Sequence, residues 1–184
     1  MKATNELMLE HQGIELMLEI LEAVTNQIAG GGAVPPGHLD GILEFLTIFI
    51  DKCHHGKEEE FLFPAMEAAG VPREGGPIGV LLQEHEQGRK LVVRIKKLLT
   101  EHDPAGRPGM EEAHVTVGEY MELMIQHIAK ENTVVFPMAD KMLDAGTAAK
   151  LCENFEKLER ERIGAGKHEE FHALLDTLRD VYLK

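Results

Sequence analysis

Residues 54–64, HHGKEEEFLFP, decide the fold, because the chain repeats their pattern at residues 127–137 as HIAKENTVVFP. Both stretches carry His, Lys, Glu, Phe and Pro at the same offsets. Residues four apart lie on one face of a helix, so each H-x-x-x-E directs an imidazole and a carboxylate toward the same place. The pattern therefore predicts two helices that each present a pair of side chains suited to binding a metal.

The repeat extends upstream of both motifs. His11 lies 43 residues before His54, and His85 lies 42 residues before His127. Each of the two upstream histidines follows a glutamate. Chance poorly explains a repeat that keeps both a motif and a distant histidine, so the chain is interpreted as H…HxxxE, twice, on four helices.

Apolar residues recur at helical spacing between breaks rich in glycine and proline, and no strand pattern competes with them. Pro64 and Pro137 lie inside two of the helices, and each is expected to kink its helix or end the regular part. The fold class predicted is all-α: an up-and-down antiparallel four-helix bundle over residues 1–145, with short additional C-terminal helices over residues 146–184 packing on it. The predicted helices cover about residues 5–29, 38–69, 77–100, 110–144, 147–163 and 168–183.

Composition and charge restrict the classes of partner that this chain is expected to have. The 184 residues fit one domain, and a formal charge of −13 repels phosphate backbones, so no nucleic-acid partner is expected. No signal peptide or membrane span is recognised, so no membrane partner is expected. Two cysteines, Cys53 and Cys152, are too few for a disulfide framework and indicate a reducing, cytoplasmic setting, although a single disulfide stays open. Ten histidines are many for this length and need an explanation.

A metal centre provides that explanation. The four repeated histidines have apolar neighbours on their helix faces, so they are expected to point into the core with Glu58 and Glu131. Burying two carboxylates costs several kcal/mol each unless they are paired or bound to a metal, and no Arg or Lys lies four residues before or after Glu58 or Glu131 to neutralise them. Imidazole and carboxylate together suit iron, manganese or zinc better than calcium or magnesium. The expected ligands are His11, His54, Glu58, His85, His127 and Glu131.

Three other interpretations fit the pattern less well. Histidine and glutamate are common on solvated helix surfaces, but the doubled pattern argues against that reading. A structural zinc site favours cysteine ligands, and neither cysteine recurs with the motif. Ferritin-type di-iron bundles use Glu-x-x-His, which differs from the His-x-x-x-Glu found here.

This ligand set, with EEEFLFP and ENTVVFP in the two motifs, resembles the hemerythrin-like, HHE cation-binding family over about residues 1–145. The resemblance implies a centre of two non-haem iron ions, with an oxo or hydroxo group completing the bridge between them. It implies His11 and His54 on one iron, His85 and His127 on the other, and Glu58 and Glu131 as bridges. Oxygen-carrying hemerythrin is similar only in part, because it has a fifth histidine and one carboxylate in a longer-spaced motif. With four histidines, two bridging carboxylates and the oxo or hydroxo bridge, two octahedral irons would keep roughly two open or water-filled positions, which favours redox chemistry with O2, peroxide or NO over storage.

Residues 168–172, HEEFH, match the H-E-x-x-H signature of zinc proteases. Only twelve residues follow in this sequence, too few for the usual third ligand and its supporting fold. The preferred interpretation places this helix across the bundle, with His168, or less readily His172, as a fifth histidine ligand. The alternative is an ordinary surface helix.

Other residues lie near the expected centre. His55 follows a ligand and should point about 100° away, toward a supporting layer or solvent. Glu59 is a candidate partner for a ligand imidazole N–H. Tyr120 lies on the face of His127 and is either a hydrogen-bond donor to a bound oxygen species or a core residue. Cys53 is expected to be a buried thiol, and surface positions are expected for His38, His102 and His114.

The first functional hypothesis is therefore a protein that binds, senses or detoxifies O2, NO or peroxide, so the expected partner is a small diatomic or peroxide ligand. The second is a di-iron enzyme that turns over peroxide or NO. The third is an iron-donating repair protein for iron centres; that class tends to carry an N-terminal cysteine-bearing segment that this sequence lacks. An interaction scaffold without redox chemistry comes last, and the oligomeric state is left open.

Overall fold

The computed structural model describes residues 1–100 and 107–184, and every element in them is helical. The all-α class is thus confirmed, and the predicted helix ranges agree with the observed ones to within a few residues. His102, expected on the surface, lies outside the described residues. The elements are α1 (Lys2–Ala29), α2 (Pro36–Glu44), π1 (Phe45–His55), π2 (Glu58–Leu62), α3 (Phe63–Ala68), α4 (Pro77–Thr100), α5 (Arg107–Lys130), π3 (Glu131–Val135), α6 (Phe136–Met142), α7 (Ala145–Leu158), π4 (Glu159–Ile163) and α8 (Lys167–Tyr182).

Four long helices can be followed through these elements: α1, the run from α2 to α3, α4, and the run from α5 to α6. The second and fourth contain wide π turns, which the sequence interpretation did not predict. Pro64 and Pro137 were expected to kink or end their helices, but each is the second residue of an α-helix that directly follows π2 or π3. Proline lacks an N–H and clashes with the carbonyl four residues earlier, and a wider turn relieves both problems.

The buried apolar residues form two clusters. The larger core cluster includes Ile14, Ile50, Leu91 and Met124, one from each long helix. The smaller core cluster likewise takes one or more residues from each, including Leu7, Leu62, Leu81 and Val135.

The expected metal ligands lie between these two clusters in all four helices. The chain passes from the smaller cluster to the larger one in α1 and α4, and in the opposite direction in the other two long helices. This alternation is compatible with an up-and-down four-helix bundle, which stays a prediction.

The two C-terminal helices contribute to both clusters. Phe155 of α7 belongs to the smaller core cluster, whereas Phe171, Leu175 and Leu178 of α8 belong to the larger one. The predicted division of the chain at residues 145 and 146 is not tested by these contacts and remains a prediction. Among the described helices, none combines the length and apolar character that a membrane crossing needs.

Candidate metal centre

Four histidines, one from each long helix, meet in pairs between the two core clusters. The Nε2 atoms of His11 and His54 lie 3.0 Å apart, and those of His85 and His127 lie 3.1 Å apart. Each of the four side chains is 1% exposed. Two neighbouring ligands on one ion, with bonds of about 2.1 Å at right angles, are about 3 Å apart, so both pairs have the spacing of nitrogens that share an ion.

Glu58 and Glu131 connect the two histidine pairs. Glu58 Oε1 lies 3.8 Å from His54 Nε2, and its Oε2 lies 3.4 Å from His85 Nε2. Glu131 Oε2 lies 3.1 Å from His11 Nε2, and its Oε1 lies 3.1 Å from His127 Nε2. Each carboxylate therefore directs one oxygen to each pair, which is the arrangement of a ligand that bridges two ions.

The donor atoms of this centre fit a cation. Both carboxylates are fully buried, and none of their four oxygens has a hydrogen-bond partner among the described residues. An unsatisfied buried polar group costs about 1–3 kcal/mol, and more when it is charged. A metal ion at each histidine pair would satisfy these oxygens directly, and the imidazole and carboxylate donors suit iron.

The electrostatics favour positive charge at the same place. Burial lowers the pKa of His127, but the carboxylates of Glu131, Glu84 and Glu58 together outweigh burial and raise the pKa to about 10. Burial would raise the pKa of Glu131, yet His127 and His11 hold that pKa well below its ordinary value. The two buried carboxylates thus create a field that stabilises a cation between the histidines.

A set of outer hydrogen bonds fixes the imidazole rings. The Nδ1 atom of His85 donates to Glu59 Oε1 at 2.7 Å, so Glu59 pairs with one of the predicted ligand imidazoles, as expected. Carboxylates on the Nδ1–H select the tautomer whose Nε2 lone pair faces a metal. The other three bonds run from His54 to Glu10 at 2.7 Å, from His127 to Glu84 at 3.0 Å and from His11 to Asn132 at 2.9 Å.

Glu10 and Glu84 are functional residues that the sequence interpretation missed. Each precedes an upstream histidine in the chain but bonds to the motif histidine of another helix. The lysines shared by the two motifs complete this layer, because Lys57 contacts Glu10 and Lys130 contacts Glu84. The repeated Glu–His pair was the sequence signal for the two glutamates, and the repeated H-x-x-K-E motif was the signal for the two lysines.

Lys57 is a basic side chain close to the centre, but it does not neutralise the two connecting carboxylates. It is fully buried, and its ammonium contacts Glu10, Glu6 at 2.9 Å and Glu159 at 2.5 Å. Its partners are therefore the outer carboxylates, and neither Glu58 nor Glu131 is among them.

His55 also differs from the expectation. It is only 3% exposed, and its ring stacks on His85 with centroids 3.8 Å apart. The wide turn of π1 rotates successive side chains by less than an α-helix does, so His54 and His55 both face inward. His55, Glu58, His85 and His127 form one of the groups whose donor atoms lie close enough to hold an ion.

The structure does not bring His168 together with the other six predicted ligands. Its Nε2 lies 4.0 Å from Oε1 of Glu10, the residue that supports His54, and the donor group that contains His168 includes none of the six. The group of Glu10, Glu159 and His168 also has the spacing of metal donors, but the ammonium of Lys57 contacts both carboxylates. Glu169 and His172 are exposed, and the geometry gives no support to the protease interpretation or to a fifth histidine from α8.

The remaining candidates are mainly structural. Tyr120 is buried and contributes to a cavity that His55 also lines, and burial raises its pKa. Cys53 and Cys152 are buried free thiols, and burial raises the pKa of Cys53 to about 12. His114 is exposed as expected, whereas His38 is half-buried and hydrogen-bonded to the Tyr182 hydroxyl at 2.8 Å.

A family model described as the hemerythrin HHE cation binding domain matches residues 2–139. The chain belongs to this family. The matched range includes the four paired histidines and both connecting carboxylates. This hemerythrin-like chain therefore has, within the matched range, clustered His and Glu side chains that are able to bind metal.

Similar curated proteins include an uncharacterized mycobacterial protein and iron-sulfur cluster repair proteins. An uncharacterized protein of Mycobacterium tuberculosis, Rv1995, is 26% identical over 179 residues, which are 97% of this chain and 68% of that protein. The iron-sulfur cluster repair protein YtfE of Dickeya chrysanthemi is 30% identical over 108 residues, covering 56% of this chain and 49% of that protein. YtfE of Musicola paradisiaca is 33% identical over 105 residues, covering 54% of this chain and 46% of that protein.

Proposed function

We propose that this hemerythrin-like chain holds two non-haem iron ions and uses them to bind, sense or detoxify O2, NO or peroxide. The observation that carries the proposal is the placement of Glu58 and Glu131, each with one oxygen toward each histidine pair. His11 and His54 would hold one ion, and His85 and His127 the other. Iron supplies redox chemistry and open positions for small ligands when it is bound.

The surrounding residues prepare the site for that role. Glu10, Glu59 and Glu84 hold the Nδ1 protons of three histidines, so the Nε2 lone pairs face the centre. The two core clusters exclude water on both sides of the polar layer. The same layer supports the proposal that the four long helices form an up-and-down bundle, because each helix crosses it in the opposite direction from its predecessor.

The test exposes the reduced, iron-loaded protein to O2, NO or hydrogen peroxide without air and follows its absorption spectrum. Binding or sensing predicts a stable new spectrum that reverses when the ligand is removed. Detoxification predicts disproportionation of many equivalents of peroxide per chain into water and O2, or, when an electron donor is added, reduction of many equivalents of NO. The matched control is the Glu131→Ala variant, which should have lost metal and should respond to none of the three ligands. A wild-type, iron-loaded protein that responds to none of the three ligands would contradict the proposal.

An iron-donating role in the repair of iron centres is the second candidate, and the similarity to the YtfE repair proteins favours it. Its test mixes iron-57-loaded protein with a purified acceptor stripped of its iron–sulfur cluster, together with sulfide. Repair predicts transfer of the label into a rebuilt cluster faster than from the same concentration of free iron. Retention of the label by the donor would exclude this role and leave the first proposal intact.

A further inference from the structure

His55 is a buried imidazole that makes no hydrogen bond to any described residue. Neither of its ring nitrogens has a hydrogen-bond partner among the described residues, and the Asp51 carboxylate oxygen that approaches Nδ1 stays 3.9 Å away, beyond hydrogen-bond distance. An imidazole always carries at least one N–H donor, whichever tautomer is present. Buried donors are nearly always satisfied in folded proteins, so this N–H indicates a missing acceptor.

The ring of His55 lies beside the histidine pair of α4 and α5. It stacks on His85 with an interplanar angle of 17°, and its centroid is 5.7 Å from that of His127. An imidazole nitrogen binds a metal ion in the plane of its ring. Because the rings of His55 and His85 are stacked and nearly parallel, a single ion cannot lie in the planes of both rings. One His55 nitrogen is nevertheless within 4.8 Å of donor atoms on Glu58, His85 and His127. That nitrogen is placed to contact a small ligand next to an ion there, not to bind the ion itself.

A cavity of about 190 Å³ leads to His55 from the surface. Its outer part includes Val93, which is 71% exposed, and the ion pair between Arg89 Nε and Asp51 Oδ1 at 2.6 Å. A water molecule takes about 30 Å³ in the liquid, so a ligand of a few atoms fits easily. The inner part is mostly apolar and is lined by Leu46, Ile50, Gly88, Val92 and Tyr120.

The two halves of the repeat differ at the position of this donor. In the repeat, His55 follows His54 as Ile128 follows His127, and an isoleucine side chain has no N–H. The two histidine pairs are therefore chemically unequal, although their ligands are the same.

We propose that His55 is the ligand-binding residue of the centre, and that its N–H donates to a small anion or diatomic molecule arriving through this cavity at the His85–His127 end. This inference rests on the proposed function, because it requires bound metal. It goes further by assigning the entry route, the end of the centre that takes the ligand and the side chain that recognises it.

The test uses azide as the probe on oxidised, iron-loaded protein and follows the absorption change during titration. His55→Leu removes the donor, whereas His55→Gln keeps an N–H donor. His55→Leu should retain the wild-type iron content and bind azide about tenfold more weakly, equivalent to about 1.4 kcal/mol, because one hydrogen bond is lost. His55→Gln should recover most of the affinity. Ile128→Leu, at the equivalent position of the repeat, should bind azide as the wild type does.

A second variant tests the route without altering the centre. A Cβ added at Gly88 would lie 3.7 Å from Tyr120 Cε2, an ordinary contact, so Gly88→Ala should fold normally while narrowing the cavity. Azide should then associate several-fold more slowly at unchanged iron content. An unchanged rate would overturn the route.

Two results would overturn the role of His55. The first is wild-type azide affinity in a fully iron-loaded His55→Leu variant. The second is loss of iron from both His55 variants, which would make His55 a direct metal ligand. If the wild-type chain itself bound no iron, the proposed function would fail first, and measuring its iron content before the titration separates that failure from the others.

Discussion

Glu58 and Glu131 each contact both histidine pairs, whereas each histidine belongs to one pair. Glu131→Gln removes a charge that touches His11 Nε2 and His127 Nε2, both at 3.1 Å. We expect this variant to lose at least one metal ion per chain, since both ions of the proposed centre would share the missing charge. The measurement is metal content after gel filtration. Glu60→Gln is the matched control, because Glu60 lies in the first motif but is 43% exposed and pairs with Arg162. Full occupancy in Glu131→Gln would contradict the bridging role.

The repeated lysines offer a second comparison between equivalent residues. Burial lowers the pKa of Lys57, but the carboxylate of Glu10 and other acidic neighbours outweigh it and raise that pKa. Lys57→Met leaves Glu10 buried without its counter-charge, so we expect a loss of about 3 kcal/mol in the free energy of unfolding. Lys130 is 38% exposed, and we expect Lys130→Met to cost about 1 kcal/mol or less. Urea unfolding measures both, and equal losses would refute the distinction.

At the scale of single residues, the repeat was sufficient to predict the six central side chains that the structure brings together, and also Glu59. It was not sufficient for Glu10 and Glu84, because each bonds to a histidine on another helix and that pairing depends on how the helices face each other. Burial of Lys57 was missed for the same reason: its partners Glu6 and Glu159 come from distant parts of the chain.

Among the elements, the π turns explain most of what the sequence did not reveal. Helical periodicity at 3.6 residues per turn places His54 and His55 on different faces, but π1 changes the rotation between them. Pro64 and Pro137 were correctly recognised as obstacles to a regular helix. The wide turns π2 and π3, which let the helix continue past each proline, begin at Glu58 and Glu131, so the same irregularity lies at the centre in both repeats.

The C-terminal helix α8 is expected to contribute to stability through its apolar face. Phe171 is 2% exposed and packs edge-on against Phe45 and Phe49, at centroid distances of 5.5 and 5.6 Å. Phe171→Ala should lower the free energy of unfolding by about 3–5 kcal/mol, because it removes a buried ring and leaves a cavity. Val181→Ala, on the same helix at 51% exposure, should change it by about 0.5 kcal/mol or less.

Chemical denaturation of both α8 variants decides this prediction. Equal stability of Phe171→Ala and Val181→Ala would contradict the claim that α8 packs on the rest of the chain through Phe171. Metal content should be the same in both, because neither side chain belongs to the groups of metal donors.

On the scale of the whole molecule, a charged layer separates two apolar clusters, and its stability depends on what neutralises the buried carboxylates. Removing metal with a chelator should lower the melting temperature, because an ion that binds only the folded state stabilises it by mass action. Adding iron(II) without air should restore the original value. Calorimetry of loaded, stripped and reloaded protein measures this, and an unchanged melting temperature would mean that no metal is bound between the clusters.

The central claim is that this layer holds two iron ions, one at each histidine pair. The most direct measurement is metal analysis of the purified chain, combined with its absorption spectrum before and after reduction. We expect about two irons per chain, as the two pairs and two bridging carboxylates require, and near-ultraviolet absorption that disappears on reduction. A single zinc with no iron would contradict the account, because one ion leaves a histidine pair and half of each bridging carboxylate without a partner.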